Sequence, residues 1–361
     1  MRISSLVQRW PIYVPVLAML GLYALREVRV DGWYAWGLVA VLILAVIASV
    51  HHAEVIAHRL GEPYGTLVLA LAVTVIETSL VLSMMLSKGS NSAALPRDTI
   101  YSAVMIACNG VVGICLLIGG LHHREQLFRI EGTGSGFAAL ATLSVLVLVM
   151  PLYTTSSPEG TYTDAQLVFV ALSSLVLWLV FVFIQTVRHR DYFLPFESAA
   201  DESVHAEPPS AVQGWISFVL MVMGLTSVVG FAKELSPAME ALVSAYRAPA
   251  PVLGILIAVI VLLPETWAAM RAARVDRLQT SMNLAIGSAL ASIGLTIPLV
   301  VLASVVFDLP LKLGLDPKDV ALLALTFLVG SITLGSGRTN VMQGAIHLVL
   351  FASFLFLTLV P

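Results

Sequence analysis

Apolar residues run along this chain in long unbroken stretches separated by short polar breaks. The stretches lie near residues 9–25, 33–52, 65–87, 99–120, 134–152, 165–187, 212–231, 250–270, 281–306, 319–334 and 341–360. A helix needs about 20 apolar residues to cross a hydrocarbon core. The runs are continuous and do not alternate every second residue, which argues against barrel strands. The pattern predicts an all-α membrane protein with about eleven transmembrane helices. No small-residue cleavage site follows the first run, and further spans do, so it reads as a helix and not as a signal peptide.

Composition agrees. Of 361 residues, 58% are hydrophobic and 11% charged, against about a quarter charged in a soluble domain. So much apolar sequence exceeds what one globular core hides. No basic stripe is present, which excludes the usual footprint of nucleic-acid binding. Cys108 and Cys115 share one apolar run; on a helix they stand about 10 Å apart, too far for a disulfide.

Lys and Arg set the orientation. With the N-terminus inside, 11 of the 19 fall on the cytoplasmic side and 8 outside, in the sense of the positive-inside rule. The reading is a multi-pass protein of the bacterial inner membrane, with a cytoplasmic N-terminus and a periplasmic C-terminus. Its surroundings are lipid, and its oligomeric state is open.

The longest polar stretch, 188–211, holds Glu197, Asp201, Glu202 and Glu207. It reads as a solvated cytoplasmic linker; a weak cation-collecting segment is the alternative. The chain then divides into an extra N-terminal helix (1–30), a first five-helix repeat (31–187), the linker (188–211) and a second five-helix repeat (212–361). In each repeat the second span carries one glutamate near its middle, Glu77 or Glu265. Five crossings separate these helices, so they run in opposite directions. That is an inverted-topology repeat, a common plan of secondary transporters.

An ionisable residue at mid-membrane costs several kcal/mol unless it faces protein or water. Burial penalises the charged form of a carboxyl, so proton and cation compete for the same oxygens. Such competition suffices for exchange if the site opens to one side at a time. The alternatives are interhelical hydrogen bonding by a protonated Glu, or a pair with Arg; no Arg or Lys falls in the apolar centre of a span. Thr74 and Thr78 flank Glu77, with Ser79 and Ser83 beyond. Pro264 precedes Glu265 and removes a backbone hydrogen bond, freeing a carbonyl one turn earlier, as in broken transporter helices. Ser288, Ser292 and Thr296 recur at every fourth residue and line one face, either for an ion or for small-residue packing. Asn109 is a mid-span amide that needs partners.

Three stretches carry a family resemblance: His58-Arg59-Leu60-Gly61-Glu62-Pro63-Tyr64-Gly65 leading to Thr74-Val75-Ile76-Glu77; Pro264-Glu265-Thr266 with Asn283-Leu284-Ala285-Ile286-Gly287-Ser288 and Pro298; and Gly337-Arg338-Thr339-Asn340 with Gly344. Gly119-Gly120 with Glu125-Gln126 and Phe128 is a weaker fourth. In this order the chain resembles the calcium/cation antiporter superfamily, most closely its bacterial sodium-potassium/proton and calcium/proton branch. The resemblance implies two inverted five-helix repeats plus an extra helix, with Glu77 and Glu265 at the ion-binding glutamates. It carries Asn109 and Ser288 onto polar positions beside those acids. The family pattern is Gly-Asn, two residues, then Glu; here the pairs read Val73-Thr74 and Val261-Leu262. Calcium favours six to eight oxygens, so the missing amides predict a loosely selective site for Na+, K+ and/or Ca2+ in exchange for H+. The expected cation ligands are Glu77, Glu265, Thr74, Asn109, Ser288 and Ser292.

Seven histidines fall on the cytoplasmic side: His51, His52, His58, His122, His123, His189 and His205. His51, Glu54 and His58 share one helical face, though not at the four-residue spacing of a zinc motif. They read as an interfacial polar collar, or as a proton relay or pH sensor. The resemblance implies an acidic residue at Glu54, favouring a role in proton or cation entry. The glycine runs 132–136 and 335–337 lack a phosphate-loop lysine and read as flexible loop ends. No nucleophile–base pair is evident, and no cofactor is implied. A gated channel and an intramembrane metalloenzyme remain as alternatives, the latter lacking ligands at metal spacing.

Overall fold

The computed structural model describes residues 10–24, 33–61, 64–88, 92–194, 209–245 and 247–361. Among them are eleven helices, one for each predicted span: α1 (Trp10–Ala24), α2 (Trp33–Leu60), α3 (Tyr64–Lys88), α4 (Leu95–His123), α5 (Ile130–Leu152), α6 (Asp164–Arg188), α7 (Ala211–Ala245), α8 (Pro251–Arg274), α9 (Leu278–Phe307), α10 (Pro317–Gly335) and α11 (Val341–Leu359). Nine of the described stretches are long and apolar enough to cross a membrane. Glu197, Asp201, Glu202 and Glu207 of the 188–211 linker lie outside the described residues, as do His205, Glu62 and Pro63.

Contacts divide the chain into two compact units. The first holds α1, α2, α3 and α7. In it α2 and α3 pack on each other and on α7, and α1 lies along α2 and α7. Small residues let the backbones approach, as is usual where lipid gives no hydrophobic drive between helices. A β-carbon at Gly224 would stand 2.3 Å from Ser49 Oγ, and one at Gly230 2.3 Å from Leu22. Ala53, Ile56, Ala72 and Met221 form a buried cluster there.

Helix α2 runs two turns past its apolar stretch, through the histidines to Leu60. Gly61 stops it: its φ is +69° and its N–H donates to Ala57 O at 3.0 Å, a left-handed glycine cap. Helix α7 likewise continues beyond residue 231, with 35 residues or about 52 Å of length.

The second unit holds the other seven helices. Capping boxes open two of them. Thr163 and Gln166 cap α6, and Asn340 and Gln343 cap α11, where Asn340 Oδ1 accepts from Met342 N at 2.9 Å. Between α4 and α5 a short strand β1 (Gln126–Leu127) pairs antiparallel with β2 (Arg338–Thr339) before α11. Around this pair α4 and α11 touch backbone to backbone: a β-carbon at Gly120 would meet Val341 N at 2.7 Å, and one at Gly344 would meet Leu117 N at 2.6 Å.

The first glycine run is not a loop. Gly132, Gly134 and Gly136 lie in the opening turns of α5. Gly132 and Gly136 are small because space is short: a Gly132 β-carbon would stand 2.4 Å from Tyr192 O, and a Gly136 β-carbon 2.9 Å from Phe181, whereas Gly134 has room. Close packing, not turn chemistry, selects glycine at those two positions. Gly335 does end α10, and Gly337 turns the chain at φ +66°.

Candidate functional site

Glu77 sits mid-way along α3, in the first unit, and is 1% exposed. Thr74, one turn earlier, and Thr78 are buried beside it, as are Val73, Ile76, Leu80 and Val81. The Thr78 hydroxyl is buried without a hydrogen-bond partner. A buried hydroxyl left in that state is costly, and its oxygen is open to a ligand.

Glu265 occupies the matching place in α8, in the second unit, and is half-buried. Pro264 lies inside α8 without ending it; the helix runs unbroken from Pro251 to Arg274. Thr266 Oγ1 donates to Leu262 O at 2.7 Å, which takes up one carbonyl in the turn that Pro264 loosens. Ser281 Oγ donates to Ala269 O at 2.7 Å and fastens α9 to α8 just past the glutamate.

The breaks in α-helical geometry occur elsewhere. α4 contains a π-helical segment at Ile106–Val111, and α9 one at Ser292–Thr296. These are the third helices of the two proposed repeats. A π turn inserts extra chain and often marks functional sites. In α9 it precedes Pro298, whose missing N–H and bulk disturb the turn before it. α5 shows the same relation, with a π segment at Val145–Val149 ahead of Pro151. No proline follows the segment in α4. The predicted stripe of Ser288, Ser292 and Thr296 is therefore not one α-helical face: Ser288 is half-buried, and beyond Ser292 the register widens.

Asn109 lies within the π segment of α4, fully buried. Its Nδ2 donates to Thr326 Oγ1 of α10 at 2.9 Å, and its Oδ1 stands 3.2 Å from Nδ1 of His347 on α11. The amide thus joins three helices, leaving one Oδ1 lone pair for anything else. His347, 2% exposed, is the eighth histidine, which the sequence reading passed over. The signal was available: it is the lone ionisable residue in the last apolar run.

In the first unit, His51, Glu54 and His58 are exposed on one face of α2, while His52 is buried on the other. Nδ1 of His52 lies 3.2 Å from Ser217 Oγ, and its Nε2 2.9 Å from Pro11 O, tying α2 to α7 and α1. Trp10 lies against His51, with ring centroids 6.5 Å apart. Among the described residues no group of three or more His, Cys, Asp or Glu is placed to hold a metal ion.

Part of the sequence that carries the family resemblance forms a joint in the second unit. Gln126 Nε2 donates to Asp276 Oδ1 at 2.7 Å and to Ala273 O at 3.1 Å, and Phe128 N donates to Gly337 O at 3.0 Å. Asn283 Nδ2 donates to Phe193 O at 2.6 Å, and Gln279 bridges Asn283 to Thr133 and to the Arg129 N–H. These residues hold helix ends together.

The sequence profile of the sodium/calcium exchanger protein family matches residues 32–187 and again 216–360. A protein of Sinorhizobium fredii (strain NBRC 101917 / NGR234), y4hA, named no more specifically than an ionic transporter, is 46% identical over 88% of this chain and 86% of its own length. The sodium-potassium/proton antiporter ChaA of Escherichia coli (strain K12) is 34% identical over 94% of this chain and 93% of its own. Among solved structures, native YfkE superposes with a TM-score of 0.72 at 17% identity, covering 97% of this chain and all of that one. The H+/Ca2+ exchanger CAX also gives 0.72, at 14% identity, covering 96% and 87%. The spans, the fold and the profile agree on a multi-span membrane transporter and not an enzyme, and the chain belongs to the sodium/calcium exchanger protein family.

Proposed function

We propose that this chain is a cation/proton antiporter working by alternating access, with Glu77 and Glu265 as the groups that bind the cation or protons in turn. The observation that carries the reading is Glu77: a carboxyl 1% exposed at the middle of an apolar helix, followed by Thr78 as Glu265 is followed by Thr266. In membrane spans buried acids of this kind mark ion pathways. The family profile matches once on each side of the 188–211 linker, which supports two repeats spanning 31–187 and 212–361 after an extra helix. Thr74, Asn109, Ser288 and Ser292 are the further oxygen ligands we assign, Asn109 through its remaining lone pair. His51, Glu54 and His58, exposed together on α2, are candidates for proton or cation entry.

The cations are Na+ and K+, with Ca2+ alongside. The likeness to ChaA favours the monovalent ions, and the absent Gly-Asn amides favour a site poorer in oxygens than calcium prefers. Location in a bacterial inner membrane, with the N-terminus inside, rests on the Lys and Arg balance.

The test uses everted vesicles with an acid interior. Adding Na+, K+ or Ca2+ should dissipate the pH gradient, and Glu77→Gln or Glu265→Gln should abolish the response. Wild-type rates in either variant would overturn the assignment. A channel would pass cations with no proton gradient imposed.

A further inference from the structure

One end of the second unit carries a concentration of arginine that the proposed exchange does not use. The segment after α4 is bound there to the turn between α8 and α9 and to the strand before α11. His123 Nε2 lies 2.9 Å from Arg274 O, the Arg129 N–H donates to Gln279 Oε1 at 2.6 Å, and Leu127 pairs with Arg338. The three segments therefore form one continuous surface. We propose that this surface binds the headgroups of anionic phospholipids, its arginines taking the phosphate oxygens. The inference rests on the chain's spanning a membrane and not on the antiport reading.

Residues 121–131, 271–279 and 336–340 hold six arginines, Arg124, Arg129, Arg271, Arg274, Arg277 and Arg338, against the acids Glu125, Glu131 and Asp276. The Asp276 carboxylate is engaged by the Gln126 amide. Every one of the six arginines except Arg129 is exposed. Among the described residues those five form no ion pair.

Sidedness alone does not account for them. Either Lys or Arg serves to fix orientation in a membrane, yet this end has no lysine. Both lysines of the unit, Lys312 and Lys318, lie at the opposite end, around the start of α10. Arginine is the residue that grips phosphate through two parallel N–H···O bonds. Helix electrostatics explain only some of the positions. Arg271 and Arg274 suit the negative C-terminal end of α8. Arg277 is the N-cap of α9, with no side-chain cap and no acid in the first turn, where the dipole disfavours a cation. A bound anion reverses that sign, and the first-turn N–H groups add to its attraction. Apolar side chains are interleaved with the arginines along the sequence: Leu121, Leu127, Ile130 and Val275 are all exposed. Acyl chains cover such residues, whereas a soluble phosphate does not. Basic residues flanked by exposed apolar ones are how interfacial segments engage anionic membranes.

The experiment counts lipid bound to the full chain. The detergent-purified protein is exchanged into micelles holding equal amounts of phosphatidylglycerol and phosphatidylcholine, and native mass spectrometry reads the ratio of the two that stay bound. Wild type should retain phosphatidylglycerol in clear excess; no excess overturns the inference. One basic residue at an anionic surface gives roughly a fivefold preference. Arg124→Gln with Arg274→Gln and Arg338→Gln should therefore lower the ratio by roughly tenfold or more, while Lys312→Gln at the other end should leave it unchanged. Equal ratios in wild type and the triple variant, or an equal fall in Lys312→Gln, would also overturn it. Inorganic phosphate added in excess should leave the lipid in place, and displacement by phosphate would replace the lipid assignment with a free-anion site. If the triple variant does not fold, wild type carries the test. Its preference should fall as salt rises from about 0.1 to 1 M and the screening length shrinks from about 10 to 3 Å, and a preference indifferent to salt overturns the inference equally.

Discussion

Replacing Gly344 by alanine probes the contact that holds α11 against α4. A β-carbon there meets Leu117 N at 2.6 Å, with Leu117 Cα and Gly113 O at 3.0 Å. These are backbone atoms of α4, so no rotamer change relieves the overlap. Ordinary contact begins at 3.4 Å, and the helices must part locally by roughly 0.8 Å, the difference of 3.4 and 2.6. His347 lies three residues on and shares the helical face. The same displacement stretches its 3.2 Å approach to Asn109 to roughly 4 Å, beyond hydrogen bonding. Overpacking costs about 1–3 kcal/mol, and an interhelical hydrogen bond in a membrane about 0.6 kcal/mol, at most about 1.7. The expected loss is thus roughly 2–4 kcal/mol. Gly287→Ala is the control, since nothing lies within 4 Å of a β-carbon at that site; alanine's helix propensity makes it neutral or slightly stabilising. Thermal denaturation of the detergent-purified protein, followed by size exclusion, should show Gly344→Ala melting several degrees below wild type and Gly287→Ala at or above it. Equal melting of the two variants would refute the reasoning.

Two further outcomes follow from the site. Thr74→Asn restores an amide oxygen one turn from Glu77, at a position 2% exposed; the ratio of Ca2+-driven to Na+-driven proton flux should rise roughly tenfold, about 1.4 kcal/mol, and an unchanged ratio would remove the ligand-poverty account of selectivity. His51→Gln with His58→Gln should move the pH profile of transport if the exposed face of α2 relays protons, and an unmoved profile would leave that face a polar collar.

Apolar runs were enough to place eleven helices because lipid forces every backbone group to be satisfied within the segment. Their ends were harder. α2 continues through His51–Leu60 because buried Ala53 and Ile56 still have α3 and α7 to pack on, a tertiary reason invisible in hydropathy. The glycines at 132–136 mimic a loop in sequence, and only the nearness of Tyr192 and Phe181 explains Gly132 and Gly136. Glu77 and Glu265 were legible because charge is rare in an apolar run. The π turns were not, since one residue of extra winding leaves no periodic trace in a sequence already apolar on all sides. Proline foretold a break in α8 where the helix continues, whereas ahead of Pro298 and Pro151 it accompanies π geometry.

The residues that carry the family resemblance therefore divide by what they touch. Gly120, Gln126, Phe128, Gly337, Asn340 and Gly344 meet at the strand pair and serve to fix where α4, α10 and α11 begin or end. That joint needs glycine for close approach and amides for caps and cross-links, one of them to the Asp276 carboxylate. Glu77 and Glu265 have the opposite character, being charge-capable groups on helices whose neighbours are mostly apolar. Asn109 belongs to both classes. It is a cross-link by its bonds to Thr326 and His347, yet it sits at the one π turn among α4, α5 and α9 that no proline explains. Side-chain bonds must then hold that turn, and bonds that hold a backbone irregularity can also release it. On the antiport reading, a fixed joint beside such a turn would let the helix ends stay anchored while its centre changes winding.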